Sequence, residues 1–271
     1  MSRVAIIIVS FNTRAALESC LRSLHGPAPV ADRTIVVVDN GSTDGSVAAV
    51  RSRWPHVHVI EHDHNAGYAC ATNAGIRATR TELLLLLNSD TVIPPHSVDR
   101  LVAALDADPT AAIAGPRIRT PEGRLELSFG RMISPWNEAR QKLLRRALAA
   151  HHPLATRWLE RRARAAHYPD WVSGACLLVR RADAEAVGLL DERFFLYTED
   201  VDFCAAMRAR GRRILFTPSA EVIHARGQAG ATAPAATHQA YRRSHLAFYA
   251  KHHPRWLPFL RAYLRLRDEL P

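Results

Sequence analysis

Leu83–Leu87, followed directly by Asn88-Ser89-Asp90, constrains the fold more than any other stretch of this chain. Five consecutive leucines leave no polar alternation, so the segment reads as a strand buried on both faces rather than on one. Such a strand needs a helical layer on each side, which points to an α/β sheet. The polarity then changes abruptly at its C-terminal end. In open α/β sheets ligands bind just outside the carboxyl ends of the strands. A carboxylate at Asp90 can hold a hard divalent cation there, and the cation can hold a phosphate. A strand running into a polar turn, with Pro94-Pro95 starting the next helix, accounts for the same residues without any chemistry.

The first half of the chain alternates in the way such a sheet requires. Val4 to Val9 is a β-branched strand, and Thr13 to Leu24 carries a helical stripe of Ala16, Leu17, Cys20, Leu21 and Leu24. Thr34 to Val38 is a second strand that ends in the polar loop Asp39 to Ser46, before a helix over Ser46 to Arg53. Val57 to Ile60 is a short third strand, Asn65 to Thr79 a loop and helix, and Pro94 to Leu105 a helix. Ala111 to Ile118 reads as a strand interrupted at Gly115-Pro116, and Trp171 to Val179 as another. Asp200 to Arg210 is helical, and Ile214 to Phe216 and Glu221 to Ile223 are short strands. The expected class is α/β: a Rossmann-like, doubly wound, mostly parallel sheet flanked by helices.

Charge adds a second constraint. The 271 residues carry 36 Lys+Arg against 26 Asp+Glu, a net charge of +10, and only Lys142 and Lys251 are lysines. This balance suits anionic partners: phosphates, nucleic acid or an acidic membrane surface. The stretch 131–168 concentrates arginine beside Trp136, Leu143, Leu144 and Trp158, as one or two basic amphipathic helices inserted between sheet elements. Thr237 to His252 and Trp256 to Arg267 form a basic helical tail, with Trp256, Phe259, Tyr263 and Leu264 beside Arg255, Arg261 and Arg265. Arginine with tryptophan and leucine on such helices suits anionic lipid headgroups. A solvated basic face explains the charge equally well, and no zinc-finger, RRM or KH signature supports nucleic acid. Cys20, Cys70, Cys176 and Cys204 are widely spaced in apolar contexts, which suggests buried free thiols in a reducing compartment. No signal peptide and no apolar run of membrane-spanning length is seen. The expected location is cytoplasmic, peripheral on the inner face of the membrane.

Four polar clusters stand where apolar strands end or a helix begins: Ser10-Phe11-Asn12, Asp39-Asn40-Gly41, Asn88-Ser89-Asp90 and Glu199-Asp200. In a parallel sheet the first three share one edge and face a common crevice. Asp39 suits a base or ribose, although a plain loop capped by Asp44 explains the same segment. Asp90 needs a second ligand to fix a cation. His224, at the end of a short strand, is a candidate among 14 histidines, most of which are expected to be packed or on the surface. The acids of Glu199-Asp200-Val201-Asp202 fit the first turn of a helix through the macrodipole alone. A carboxylate held beside a substrate hydroxyl would instead act as general base. Neither G-x-G-x-x-G after the first strand nor G-x-x-x-x-G-K-[ST] occurs, so nicotinamide and P-loop chemistry lack support.

Seven segments in order then resemble the family 2 glycosyltransferases with a GT-A fold, and among them the bacterial rhamnosyltransferase-like members. They are VSFN at Val9 to Asn12, VVVDNGSTDGS at Val36 to Ser46, NAGYACATNAGI at Asn65 to Ile76, and LLLLNSD ending at Asp90. WVSGACLLVRR at Trp171 to Arg181, FFLYTEDVDFCAAMRARG at Phe194 to Gly211 and VIHARG at Val222 to Gly227 complete the set. The resemblance implies a GT-A unit over 1–230, with 131–168 as a helical insertion and 231–271 as a helical tail. It implies a nucleoside diphosphate sugar donor, with Asp39 on the base, Ser10 and Asn12 nearby, and Asn65 and Gly67 in the donor-side loop. Asn88-Ser89-Asp90 takes the family's DXD position. Asp90 then becomes a ligand of Mn2+ or Mg2+, Asn88 a hydrogen-bonding group for the ribose, and His224 the late metal contact. Asp200 matches the ED-motif general base, and Gly174-Ala175 the donor–acceptor junction. The implied reaction is an inverting, metal-dependent transfer of one sugar per encounter, since the Q-x-x-R-W motif of processive members is missing. Subfamily resemblance suggests dTDP-rhamnose as donor and a glycan or polyprenyl-diphosphate-linked acceptor in cell-envelope polysaccharide synthesis. A departure lies in Arg226-Gly227-Gln228-Ala229-Gly230-Ala231-Thr232, where a small hydroxyl residue is usual soon after the histidine. The competing class is a basic binding module, for nucleic acid or an anionic membrane, without catalysis.

Overall fold

Strand β4 (Leu83–Asn88) lies in the middle of the sheet, and its five leucines are at most 2% exposed. The computed structural model describes residues 2–25, 33–225 and 234–271. Successive side chains of a strand point to opposite faces. Leu83, Leu85 and Leu87 therefore join one core and Leu84 and Leu86 the other. The first core is closed by α1 (Arg14–Leu24), α2 (Ser46–Arg53) and α4 (Ser97–Asp106) through Leu17, Leu21, Val50, Leu101 and Leu105. The second is closed by α3 (Tyr68–Arg77), α8 (Glu199–Ala209) and α9 (Pro234–His252) through Ala69, Ile76, Phe203, Met207 and Phe248. Burying each such leucine is worth about 1.5–3 kcal/mol relative to exposure.

The eight-stranded sheet has the order β3-β2-β1-β4-β9-β6-β10-β5. Here β1 is Val4–Ser10, β2 Arg33–Asp39, β3 His58–Glu61 and β5 Thr91–Val92. Further along come β6 at Ala111–Arg119, β9 at Cys176–Arg180 and β10 at Arg213–His224. β1 to β4 run parallel, β10 is parallel to β6, and only β9 and β5 are antiparallel to their neighbours. A mostly parallel α/β sheet is thus present. A separate two-stranded antiparallel sheet pairs β7 (Phe129–Gly130) with β8 (Trp171–Val172).

Several elements differ from their sequence reading. Gly115-Pro116 does not interrupt β6: the strand runs through, paired opposite Phe216 and Thr217. Ile214–Phe216 and Glu221–Ile223 are parts of one strand, β10, which absorbs the extra residues in an irregularity between Thr217 and Glu221. Trp171 to Val179 is two strands, parted at Ser173-Gly174-Ala175. The two-residue β5 and helix α7 (Arg181–Ala186) are too short for any periodicity to reveal. Pro94 and Pro95 lie in the turn before α4 rather than inside it.

The basic stretch forms α5 (Pro135–Ala149) and α6 (Pro153–Arg162). Ser134 caps α5 by accepting the Asn137 N–H, and α5 buries none of its own residues. Helix α9 holds α5 through Glu138, which meets His245 Nε2 at 2.9 Å and accepts the Tyr249 hydroxyl at 2.7 Å. A short 3-10 turn (Pro254–Trp256) leads to α10 (Leu257–Leu266), whose Leu260 and Leu264 reach the second core. Cys20, Cys176 and Cys204 are buried free thiols, while Cys70 is partly exposed. Among the described residues no helix is long and apolar enough to cross a membrane.

Candidate active site

Strand register brings the polar clusters to one edge. Ser10 is paired opposite Asp39, and Val9 opposite Asn88, so β1, β2 and β4 end level with one another about 4.8 Å apart. The antiparallel β9 begins where β4 ends, with Cys176 opposite Leu87, and the Asn88 N–H donates to the Ala175 carbonyl at 3.0 Å. Gly174 and Ala175 therefore join the same edge. β10 arrives from the far side in the direction of β6, and its last residue, His224, is paired opposite Thr91.

Asp39 is 2% exposed; its Oδ2 accepts the Ser42 N–H at 2.8 Å, while Oδ1 is buried with no hydrogen-bond partner. An orphaned carboxylate oxygen at a strand end is a ready acceptor for a ligand N–H. Asn12 ties the neighbouring loops together: its N–H donates to Ser42 Oγ and its Oδ1 accepts the Thr43 N–H. Asn65 is joined to the same loop, its Oδ1 accepting from Asn40 Nδ2 at 2.8 Å. Gly67 has φ +89°, and a Cβ there would lie 2.8 Å from the Phe195 carbonyl oxygen, so only glycine fits this approach. The Ser10 hydroxyl turns inward, bonded to Thr13 Oγ1 at 3.1 Å, and that hydroxyl is bonded to Ser89 Oγ at 2.9 Å. Ser10 and Ser89 thus brace the floor of the edge from behind and do not present hydroxyls to it.

Asp90 and His224 come together from distant parts of the chain. His224 Nε2 lies 3.2 Å from Asp90 Oδ1, and the Ala225 N–H donates to the Asp90 carbonyl at 2.9 Å. A third group, absent from the sequence reading, closes the cluster: Glu126 Oε2 lies 3.5 Å from His224 Nδ1. Burial alone would lower the His224 pKa. Hydrogen bonds and charge from Asp90 and Glu126 override it and lift the imidazole to about 9. The donor set fits a divalent cation. Two ligands at right angles about 2.1 Å from one ion lie about 3 Å apart, close to the Asp90–His224 spacing. Carboxylate with imidazole also suits manganese-type chemistry. Among the described residues no group of three His, Cys, Asp or Glu side chains is placed to hold a metal ion. The remaining positions of such an ion would fall to ligand oxygens and water.

Asp200 stands in the first turn of α8, where the helix dipole favours negative charge. Tyr197 and Thr198 precede it at φ +67° and +65°. This left-handed backbone costs a non-glycine residue about 1–2 kcal/mol each and aims the helix start at the sheet edge. Asp200 Oδ2 accepts the Gly174 N–H at 2.8 Å, and Oδ1 accepts the Val201 N–H at 2.8 Å. A Cβ on Gly174 would meet the Asp200 Cβ at 3.0 Å, so the glycine makes room for the carboxylate. Burial raises the Asp200 pKa, opposed by these backbone donors and by Arg145 on α5. Its neighbour Glu199 is 7% exposed, with Oε2 buried and unpartnered, and burial beside Asp200 lifts it well above the usual range. Burial thus favours the neutral form of Glu199, and Asp200, held by two backbone donors, is the better placed of the two to carry charge.

The other acid of this run has a separate task. Asp202 is 2% exposed and binds Lys251 Nζ at 2.8 Å and His252 Nε2 at 2.6 Å, locking α9 onto α8. Two surface cavities of about 550 and 560 Å3 lie away from the sheet edge, one lined by Arg157 and Arg161 of α6 and by Arg164 just after it, the other by Tyr168, Arg208 and Arg213. Residues 226–233, which hold the departing segment Arg226 to Thr232, lie outside the described residues.

The fold is that of the GT-A type. The fold matches the mannosyltransferase from Pyrobaculum calidifontis solved with GDP-Man and Mn2+, with a TM-score of 0.63 at 20% identity over 96% of this chain and 68% of that one. It also matches GalNAc-T7 solved with UDP, GalNAc and Mn2+, with a TM-score of 0.60 at 16% identity over 82% of this chain and 42% of that one. Residues 5–164 match the model of glycosyl transferase family 2. The chain is 32% identical, over 98% of its length and 91% of the relative's, to the N-acetylglucosaminyl-diphospho-decaprenol L-rhamnosyltransferase of Mycobacterium tuberculosis. This chain belongs to glycosyl transferase family 2, and the reading of a basic module without catalysis is set aside.

Proposed function

We propose that this glycosyltransferase moves rhamnose from dTDP-rhamnose to a hydroxyl of a polyprenyl-diphosphate-linked glycan, with inversion, one sugar per encounter. The observation that carries the site assignment is the convergence of Asp39, Asp90, His224 and Asp200 on one sheet edge. The sugar and acceptor rest on likeness to the mycobacterial rhamnosyltransferase.

Each residue has a physical task in this reading. Asp39 Oδ1, buried and unpartnered, accepts the ring N–H of the pyrimidine base. Asn12, Asn65 and Gly67 shape the walls against the nucleoside. Asn88 offers its amide to the ribose, and Gly174-Ala175 border the sugar and the incoming acceptor. Asp90 and His224 hold a divalent cation, Mn2+ or Mg2+, which when bound neutralises charge on the departing diphosphate. Asp200 removes the acceptor hydroxyl proton as that oxygen attacks the anomeric carbon and the bond to the diphosphate breaks. One base and one displacement give inversion. The test is transfer from labelled dTDP-rhamnose to a short-chain polyprenyl-diphosphate-linked N-acetylglucosamine, with the product anomer read by NMR. Rhamnose joined with inverted configuration is expected. No transfer from dTDP-rhamnose, with transfer from another nucleotide sugar, would refute the donor assignment.

The acceptor's lipid anchor calls for an interfacial enzyme. Trp136 and Leu143 on α5, and Leu154 and Trp158 on α6, are exposed at 75, 71, 72 and 46%, among the arginines of both helices. We place these helices against anionic lipid on the cytoplasmic face, aromatic and leucine side chains at the interface and guanidinium groups on the headgroups. Co-sedimentation with vesicles containing phosphatidylglycerol is expected to fall sharply in a Trp136→Ser/Leu143→Ser/Trp158→Ser variant, with transfer to a water-soluble acceptor analogue retained. Equal sedimentation of variant and wild type would refute this surface.

A further inference from the structure

Resting on the cation reading above, we infer that Glu126 is a positioning residue that sets which imidazole nitrogen of His224 faces the cation. The histidine is flanked on both ring nitrogens by carboxylates from different parts of the fold. Asp90 Oδ1 lies 3.2 Å from Nε2, and Glu126 Oε2 lies 3.5 Å from Nδ1. Both side chains that enclose the ring are nearly closed to solvent, at 10% for Asp90 and 6% for Glu126. Nε2 therefore points to the sheet edge with Asp90, while Nδ1 points back into the protein.

The backbone explains why Glu126 stays behind the ring. The Glu126 N–H donates to the Ile118 carbonyl at 2.9 Å, and Arg119 is bridged to Leu125, so the segment folds back on the end of β6. β10 is the other neighbour of β6, with Val222 opposite Ile118 and Ile223 opposite Arg119. His224 thus emerges beside the fold-back that carries Glu126. Arg119 and Arg117 both reach Glu221, at 2.7 and 3.5 Å.

A histidine that ligates a metal through one nitrogen commonly donates its other N–H to a carboxylate, which fixes tautomer and ring orientation and makes the ligand more basic. Glu126 supplies that carboxylate from a segment with no motif of its own. A direct ligand and a positioning group behave differently on substitution. Glutamine keeps an oxygen that accepts the Nδ1–H, whereas alanine removes it.

The test is Mn2+ affinity by electron paramagnetic resonance, in the presence of dTDP, for wild type, Glu126→Gln and Glu126→Ala, with melting temperatures of the metal-free proteins as a folding control. Glu126→Ala is expected to weaken Mn2+ about 10–100-fold. Glu126→Gln is expected to stay much nearer wild type, and both variants to remain folded. Unchanged affinity in a folded Glu126→Ala, or a Glu126→Gln as weak as alanine, would overturn the positioning role while leaving the cation site in place. A wild type that takes up no Mn2+ with dTDP would overturn the cation reading and this inference together. Should Glu126→Ala fail to fold, the comparison of Glu126→Gln with Glu126→Leu decides by the same criterion.

Discussion

Replacing Asp200 with asparagine is expected to lower kcat by about 10²–10⁴-fold, the usual worth of a general base, with dTDP affinity intact. The side chain keeps its shape, and its oxygen still accepts the Gly174 N–H, so the junction at β9 stays closed. What is lost is the ability to take a proton from the acceptor. The adjacent acid gives the contrast. Burial favours the neutral form of Glu199, because its Oε2 is buried without a partner and a charge there would be costly. Glu199→Gln reproduces that neutral group and should retain most of the wild-type kcat. The pH profile follows with a definite sign. Burial raises the Asp200 pKa above its ordinary value, and the deprotonated form is the active one. Activity should fall on acidification through an apparent pKa above that of a free aspartate, and this acid limb should vanish from the residual rate of Asp200→Asn. An active Asp200→Asn, or a Glu199→Gln as inert as it, would mean the base lies elsewhere.

How much of this was legible in the sequence depends on how local each signal was. The leucine run announced a strand covered on both faces, and its five leucines are at most 2% exposed. Strand–helix alternation announced the parallel sheet, and with it the shared edge of Ser10, Asp39 and Asn88. Residue periodicity could not tell which way a hydroxyl turns, and the Ser10 and Ser89 hydroxyls turn inward. From residues alone His224 was one candidate partner of Asp90 among 14 histidines, and the family resemblance singled it out, because their meeting depends on the two-residue β5 pairing with the end of β10. Glu126 carried no signal: its role arises from a fold-back after β6, with 98 residues separating it from His224 in the chain. Asp202 looked like one more acid favoured by a helix dipole, yet its charge is spent on Lys251 and His252 of α9. Contacts between distant segments are set by topology, and no local pattern encodes them.

The second large effect belongs to the cation site. Asp90→Ala and His224→Ala should each lower kcat by about 10²–10³-fold, the typical loss when a charge-stabilising group is removed from a departing anion. Each should also abolish stimulation by added Mn2+. Chelator treatment of wild type should have the same effect and be reversed by Mn2+, while neither variant should recover. Both side chains are nearly buried and paired with each other, at 10% and 12% exposure, so melting temperatures of the metal-free variants serve as the folding control. Full chelator resistance of the wild-type rate would contradict this assignment.

The most direct measurement is the anomalous scattering of manganese in crystals grown with Mn2+ and dTDP. A single peak within about 2.0–2.3 Å of both Asp90 and His224 Nε2, in contact with diphosphate oxygens and on the same crevice as Asp200, is the expected result. A peak elsewhere, or dTDP bound away from Asp39 and Asp90, would contradict the site.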